Sequence, residues 1–171
     1  MTSVRTAQLL TLLAATITTG LMAGVFGLYA HSIMPGLGET TDRTFVEAFQ
    51  RIDTAIEQPR FMSVVGGALV FTGVAALLHL GDGARRVVPW VAAAFVLYVV
   101  AMAITGVVHV PRNHELRALG DPDGLTDLAA ARARFDEARW IAWNLARAAT
   151  TAMAFVLLAW ALVVHGRTVT A

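Results

Sequence analysis

Four apolar stretches alternate with polar connections along the chain, at roughly Ala7–Ala30, Phe61–Leu80, Val87–Val110 and Trp140–Val164. Each is long enough to cross about 30 Å of hydrocarbon as a helix. In lipid the backbone must satisfy itself, which a helix does. The first stretch is longer than the apolar region of a signal peptide, and no small-x-small cleavage site follows it, so it reads as a retained span. The pattern predicts an all-α integral membrane protein, an antiparallel four-helix bundle forming a single domain over residues 1–171.

The connections are unequal. Gly81 to Arg86 reads as a tight turn, so the second and third spans should pack as an antiparallel pair. The two long connections, Gly36–Arg60 and Pro111–Arg139, lie on the other side, which places both termini on the side of the tight turn. In the first long connection Phe45, Phe49, Ile52 and Ile56 fall at i, i+4, i+7 and i+11, a single helical stripe. Arg43, Glu47 and Arg51 form a charge ladder on the opposite face, and Pro59 marks the end. This predicts an amphipathic interfacial helix over about residues 42–57, lying at the membrane surface or capping the bundle. Pro111 is expected to stop the third span. After the turn Gly120–Gly124, helical sequence runs from Thr126 into the fourth span without a breaker.

Composition agrees. The chain has 57% hydrophobic and 15% charged residues, with a mean hydropathy of +0.63; a soluble domain carries roughly 25% charged residues. The expected setting is the plasma membrane of a bacterium, with the lipid bilayer as partner. All 13 basic residues are arginine and the net charge is +1, which gives no reason to expect a nucleic-acid partner. Cysteine is absent, which excludes disulfides, thiolate metal sites and a cysteine nucleophile. A raw arginine count favours the long connections inside. Those connections nevertheless read as folded and internally paired, so cytoplasmic termini are the expected orientation. Gly20 and Gly24 form a G-x-x-x-G, read as packing between spans of one molecule.

The polar residues of the spans gather at one face. His31 ends the first span, Gln58 and Arg60 open the second, and His109, Asn113 and His114 close the third. Trp140, Asn144 and Arg147 open the fourth at i, i+4 and i+7, one helix face. Polar groups at membrane depth usually face a bundle interior or a wet cavity. His31, His109, Asn113, Asn144 and Arg147 are therefore expected to converge on one cavity, with Asn113 and the carbonyls freed at Pro111 partnering Arg147. Trp140 and Trp143 also read as interface anchors. His79 and His165, at the opposite face, read as interface residues. His31, His109 and His114, with Glu115 nearby, are the side chains able to hold Cu, Fe or Zn. A bis-imidazole haem needs His31 and His109 face to face. No spacing here is diagnostic of either cofactor.

At these residues the chain resembles the anthrone oxygenase-like family of small four-span membrane proteins, most without an assigned function. The resemblance rests on Gly24-Val-Phe-Gly-Leu-Tyr-Ala with Met34-Pro35, on Ile52 through Glu57-Gln-Pro-Arg-Phe-Met62, on Val110-Pro111-x-Asn113 with Leu116, and on Trp140-x-x-Trp143-Asn144-x-x-Arg147. It implies insertion of oxygen into a polycyclic anthrone to give an anthraquinone, without an obvious organic cofactor. It carries Asn113, Asn144 and Arg147 over as motif positions. His109 stands where members commonly have asparagine, which adds a base or a ligand.

Two functions fit. One is an oxygenase-like enzyme acting on a small lipophilic aromatic or quinol-like ligand that arrives from the bilayer. His109 or His31 serves as base, and Arg147 with Asn113 and Asn144 steadies an enolate oxygen. Phe26, Tyr29, Trp140 and Trp143 line the slot. The other is a non-catalytic protein that binds a lipid or quinone headgroup through the same arginine. A transporter has less support, since the chain shows no inverted repeat.

Overall fold

The computed structural model describes residues 2–81 and 84–170, and side chains within 3–81 and 84–167. The helices are α1 (Thr2–Leu28), α2 (Met34–Gly38), α3 (Asp42–Ile56), α4 (Pro59–Leu78), α5 (Val88–Ile104), α6 (Val110–Ala118), α7 (Leu128–Phe135) and α8 (Glu137–Thr170). Among the described residues, four stretches are long and apolar enough to cross a membrane: Ser3–Gly38, Pro59–Leu78, Arg85–Ala118 and Leu128–Arg167. Each span packs against its two neighbours in the order first, second, third, fourth and back to the first. Asp82 and Gly83, the centre of the expected tight turn, lie outside the described residues.

The bundle is small inside and large outside. Ala15, Ala75, Ala94, Ala154 and Ala161 are fully buried, while Leu10, Ile17, Leu77, Val96 and Leu145 face outward. Lipid gives apolar side chains no reason to turn inward, so close backbone approach decides the packing. Gly20 shows this directly: a Cβ there would come within 2.8 Å of the Phe155 ring on α8. Gly24, its partner in the motif, faces open space.

One proline behaves differently from expectation. Pro111 does not stop the third span. The turn before it, Thr105–His109, widens into a π-helix in which the Val110 N–H reaches back five residues to the Thr105 carbonyl. The helix then resumes as α6 and runs to Ala118. The wider turn absorbs the donor that proline lacks and the clash of its ring, so the helix survives. The first span repeats the device: Tyr29–Ile33 is a π turn, the Met34 N–H bonds the Tyr29 carbonyl, and Pro35 follows. The span therefore continues past Ala30 to Gly38.

The amphipathic helix α3 forms as predicted, with Thr41 accepting from the Thr44 N–H as N-cap. Its stripe does not lie against lipid. Phe45 and Phe49 are buried with Tyr29, Met34, Leu116, Phe135 and Trp140, so α3 caps the bundle end. The helical run into the fourth span is also broken: Asp136 adopts the left-handed conformation, φ 56°, and separates α7 from α8. Arg132 on α7 ties these parts together. Its guanidinium donates to the carbonyls of Gly38 and Thr40 and to Asp42 and Glu137, and it lies 4.4 Å over the Phe45 ring.

Candidate functional site

Where α3 closes over the four spans it leaves a cavity of about 340 Å³. This lies at the small end of the roughly 300–1,000 Å³ typical of small-molecule sites. Met22, Val25, Phe61, Val65 and Met102 give it apolar walls. Its polar groups come from every side: Tyr29 from the first π turn, Thr105 and His109 from the second, Asn113 from α6, Asp53 from α3 and Arg147 from α8. Both π turns thus open onto the cavity, and such turns are frequent at functional sites. A larger, open groove of about 700 Å³ runs along the rim of α3. Its charges are already spent on each other, Arg43 with Asp123 and Arg51 with Glu47.

Arg147 is the cavity's buried cation, 6% exposed. Its partners are neutral: Nη1 donates to Thr105 Oγ1 at 3.2 Å, Nη2 to Asn144 Oδ1 at 2.7 Å, and the guanidinium lies 4.0 Å over the Phe26 ring. Nε has no hydrogen-bond partner. The expected partnership with Asn113 and the carbonyls at Pro111 is not formed, because the helix there does not fray. Asn144 is fully buried behind the arginine and donates to the Phe26 carbonyl, so it fixes Arg147 relative to the first span without lining the cavity.

Asn113 works elsewhere, in a chain of three side chains. Its Oδ1 accepts from the Trp140 indole N–H at 3.0 Å, and its Nδ2 donates to Asp53 Oδ1 at 2.7 Å. Asp53 Oδ2 is buried without a hydrogen-bond partner, although Arg117 Nη1 stands 3.4 Å away as an ion pair. Burial pushes the Asp53 carboxyl above the usual carboxylate range, against the pull of the Asn113 bond and Arg117. Glu57 at the rim is bonded by Arg117 at 2.8 Å and contacted by His114 at 3.3 Å; the Arg117 bond holds it below the usual range. His109 is 1% exposed, with Nε2 facing the Trp140 carbonyl at 3.4 Å and its ring edge-on to the indole at 4.7 Å.

Of the residues expected to converge, His109, Asn113 and Arg147 line the cavity, as do Phe26, Tyr29 and Trp140. His31 does not; it is exposed on the outer side of the first π turn. Trp143 is 41% exposed and points away. His114 reaches only the rim, beside Glu57. The three imidazoles proposed for a metal are therefore not gathered, nor do His31 and His109 face each other across a haem-sized gap. Among the described residues, no group of three His, Asp or Glu side chains is placed to hold a metal. His79 and His165 are corrected too. They are buried rather than interfacial, with His79 Nε2 3.1 Å from His165 Nδ1 and His79 Nδ1 at the Ala75 carbonyl. The residue missed from sequence is Asp53. Its signal was present: an acid four residues after Phe49, on the stripe that the helix buries.

The sequence model of the anthrone oxygenase family matches residues 60–157, which include His109, Asn113, Asn144 and Arg147. The chain belongs to that family. Tyr29 and Asp53 precede the matched segment and come to the site through the fold. No curated protein and no solved structure matches the chain.

Proposed function

We propose that this anthrone oxygenase family member oxidises a lipophilic, enolisable aromatic substrate of the anthrone or quinol type with dioxygen. The observation that carries this reading is Arg147, a buried cation held only by neutral partners in the lining of an apolar cavity that also holds acid–base groups. A cation in such a place is costly unless an anion joins it, and an enolate or phenolate oxygen is an anion of the right size. For an anthrone, loss of a methylene proton puts charge on the ring ketone oxygen. Arg147, fixed in advance by Asn144 and Thr105, stabilises that charge without reorganising. Overall a methylene and dioxygen become a carbonyl and water, which balances without a further reductant. The apolar walls formed by Phe26, Phe61 and Met102 suit a flat polycyclic ring.

The test is oxygen uptake by the purified protein with dithranol, a hydroxylated anthrone, and with a reduced quinone as the second probe. Wild type should consume oxygen with at least one of them. Arg147→Ala should lower turnover roughly 100-fold or more, the scale for loss of an oxyanion donor. Arg147→Lys should not rescue, because a point charge cannot serve Asn144 and Thr105 and still face a substrate oxygen. Saturable binding of oxidised quinone without oxygen uptake from either reduced probe would favour a headgroup-binding role instead.

A further inference from the structure

We propose that Asp53, on the capping helix, is the base that takes the substrate proton; this rests on the oxygenation reading above. The placement is the first argument. Asp53 falls on the buried stripe of α3, where amphipathic periodicity calls for an apolar side chain. Its side chain is 9% exposed and lines the cavity. An acid on an otherwise apolar face is costly to bury, and here Asn113 and Arg117 compensate for it while leaving it against the cavity.

The second argument is how it is held. One oxygen is hydrogen-bonded and the other is buried against Arg117, whose Nη1 stands 3.4 Å away as an ion pair. Oδ1 accepts from Asn113, whose amide is oriented by the Trp140 indole, while Oδ2 has no hydrogen-bond partner. A carboxylate positioned in this way and lining an apolar cavity is suited to proton abstraction. His109 also lines the cavity, but it is 1% exposed, with its ring edge-on to the Trp140 indole and Nε2 directed at a backbone carbonyl. The groups facing Asp53 are Glu57 on its own helix, Asn113, His114 and Arg117 on α6, and Tyr29 on the first π turn. Burial outweighs the cations among them and makes Asp53 a stronger base than a surface carboxylate.

The steps then follow. The Asp53 carboxylate takes a proton from the methylene; the C–H bond breaks and its electron pair moves onto the ring oxygen beside Arg147. The carbanion gives electrons to dioxygen and forms a C–O bond, and Asp53 returns the proton to the resulting peroxide. Asp53 then takes the remaining proton from that carbon. The O–O bond breaks, the carbonyl forms, and hydroxide leaves to become water with that proton. Asn113 is a positioning residue in this scheme, acting through Asp53.

The test separates proton abstraction from oxygenation. Dithranol is incubated with the detergent-solubilised protein in deuterated buffer without oxygen, and deuterium uptake at the methylene is followed above the protein-free rate; oxygen uptake is measured in parallel. Wild type should accelerate both. Asp53→Asn, which keeps the shape and the Asn113 bond, should lose both by 100-fold or more, while still binding the product anthraquinone as read by tryptophan quenching. Wild-type exchange and oxygen uptake in folded Asp53→Asn overturn the assignment of the base and leave the oxygenation reading standing. Absence of oxygen uptake and of exchange in wild type overturns that reading, and this proposal with it. If Asp53→Asn does not fold, the wild-type pH profile decides. Exchange should rise with pH along one ionisation lying above the usual carboxylate range and then level off; a flat profile across that range overturns the proposal.

Discussion

Asp53 and Glu57 sit one helical turn apart on the same helix, yet their environments move their acidities in opposite directions. The consequence for stability has a definite sign in each case. For Glu57 the folded value is depressed. Its contribution is therefore present above its ordinary value of 4.5 and lost as pH falls through the folded value. For Asp53 the folded value is raised. Folding is favoured by the neutral form below its ordinary 3.8, and that advantage is lost as pH rises through the folded value. Thermal melting in detergent should therefore show Asp53→Asn melting above wild type at pH 7, with the gap closing in acid. Glu57→Gln should melt below wild type at pH 7 and converge with it in acid. A more stable yet inactive Asp53→Asn is the signature of a group kept for function at a cost in stability.

Among the helices, the cap and the two π turns are fixed by different contacts. The cap is held from below by its aromatic stripe and at its start by Arg132, which reaches two carbonyls and two carboxylates from a largely buried position. Arg132→Ala should cost about 1–3 kcal/mol, the usual range for hydrogen bonds to a charged group. Limited proteolysis should then cut first between Gly38 and Asp42, where the carbonyls lose their partner. Equal protease resistance in the variant would show that the stripe alone fixes the cap. The stripe itself was legible in sequence because a period of 3.6 is a local property. The π turns were not, although both occur immediately before an X-Pro pair, Met34-Pro35 and Val110-Pro111. A proline tells that the regular ladder must fail, but whether the helix ends or widens depends on what the next turn can pack against. Here Leu116 and Met34 bury themselves under the cap, and that packing favours continuation.

Across the whole molecule, the first and fourth spans meet closely at Gly20, and the end remote from the cavity carries the His79–His165 pair. That pair links α4 to α8, which are not neighbours in the order of the bundle. His165→Leu alone leaves His79 Nε2 without this buried partner and should lower the melting temperature by the equivalent of about 1–3 kcal/mol. His79→Phe with His165→Leu should recover much of the loss, since removing both partners avoids the buried polar group. Oxygen uptake should be unchanged in both, because the pair lies at the opposite end of the spans from the cavity. Parallel loss of uptake would show that the two ends are coupled.

Span number, the alternation of directions, the amphipathic helix and the polar face were all determined by sequence alone, because length, hydropathy and periodicity act within a single element. Arg147, Asn113 and His109 were also legible, since polar groups at membrane depth are conspicuous wherever their partners lie. Which of them meet was decided only by tertiary structure. The shift of helix face introduced by each π turn is not encoded in spacing. These shifts bring Tyr29 and Thr105 into the cavity with His109 and leave His31 outside it. Asp53 reached the site through the docking of α3, a long-range contact whose partners, Asn113 and Arg117, are 60 and more residues away. The sign of each pairing, Arg147 with neutral groups and Asp53 with Asn113 and Arg117, emerged only once four spans and a cap closed over one volume. In that enclosed space desolvation, which no linear pattern records, sets what each charge costs and what it can do.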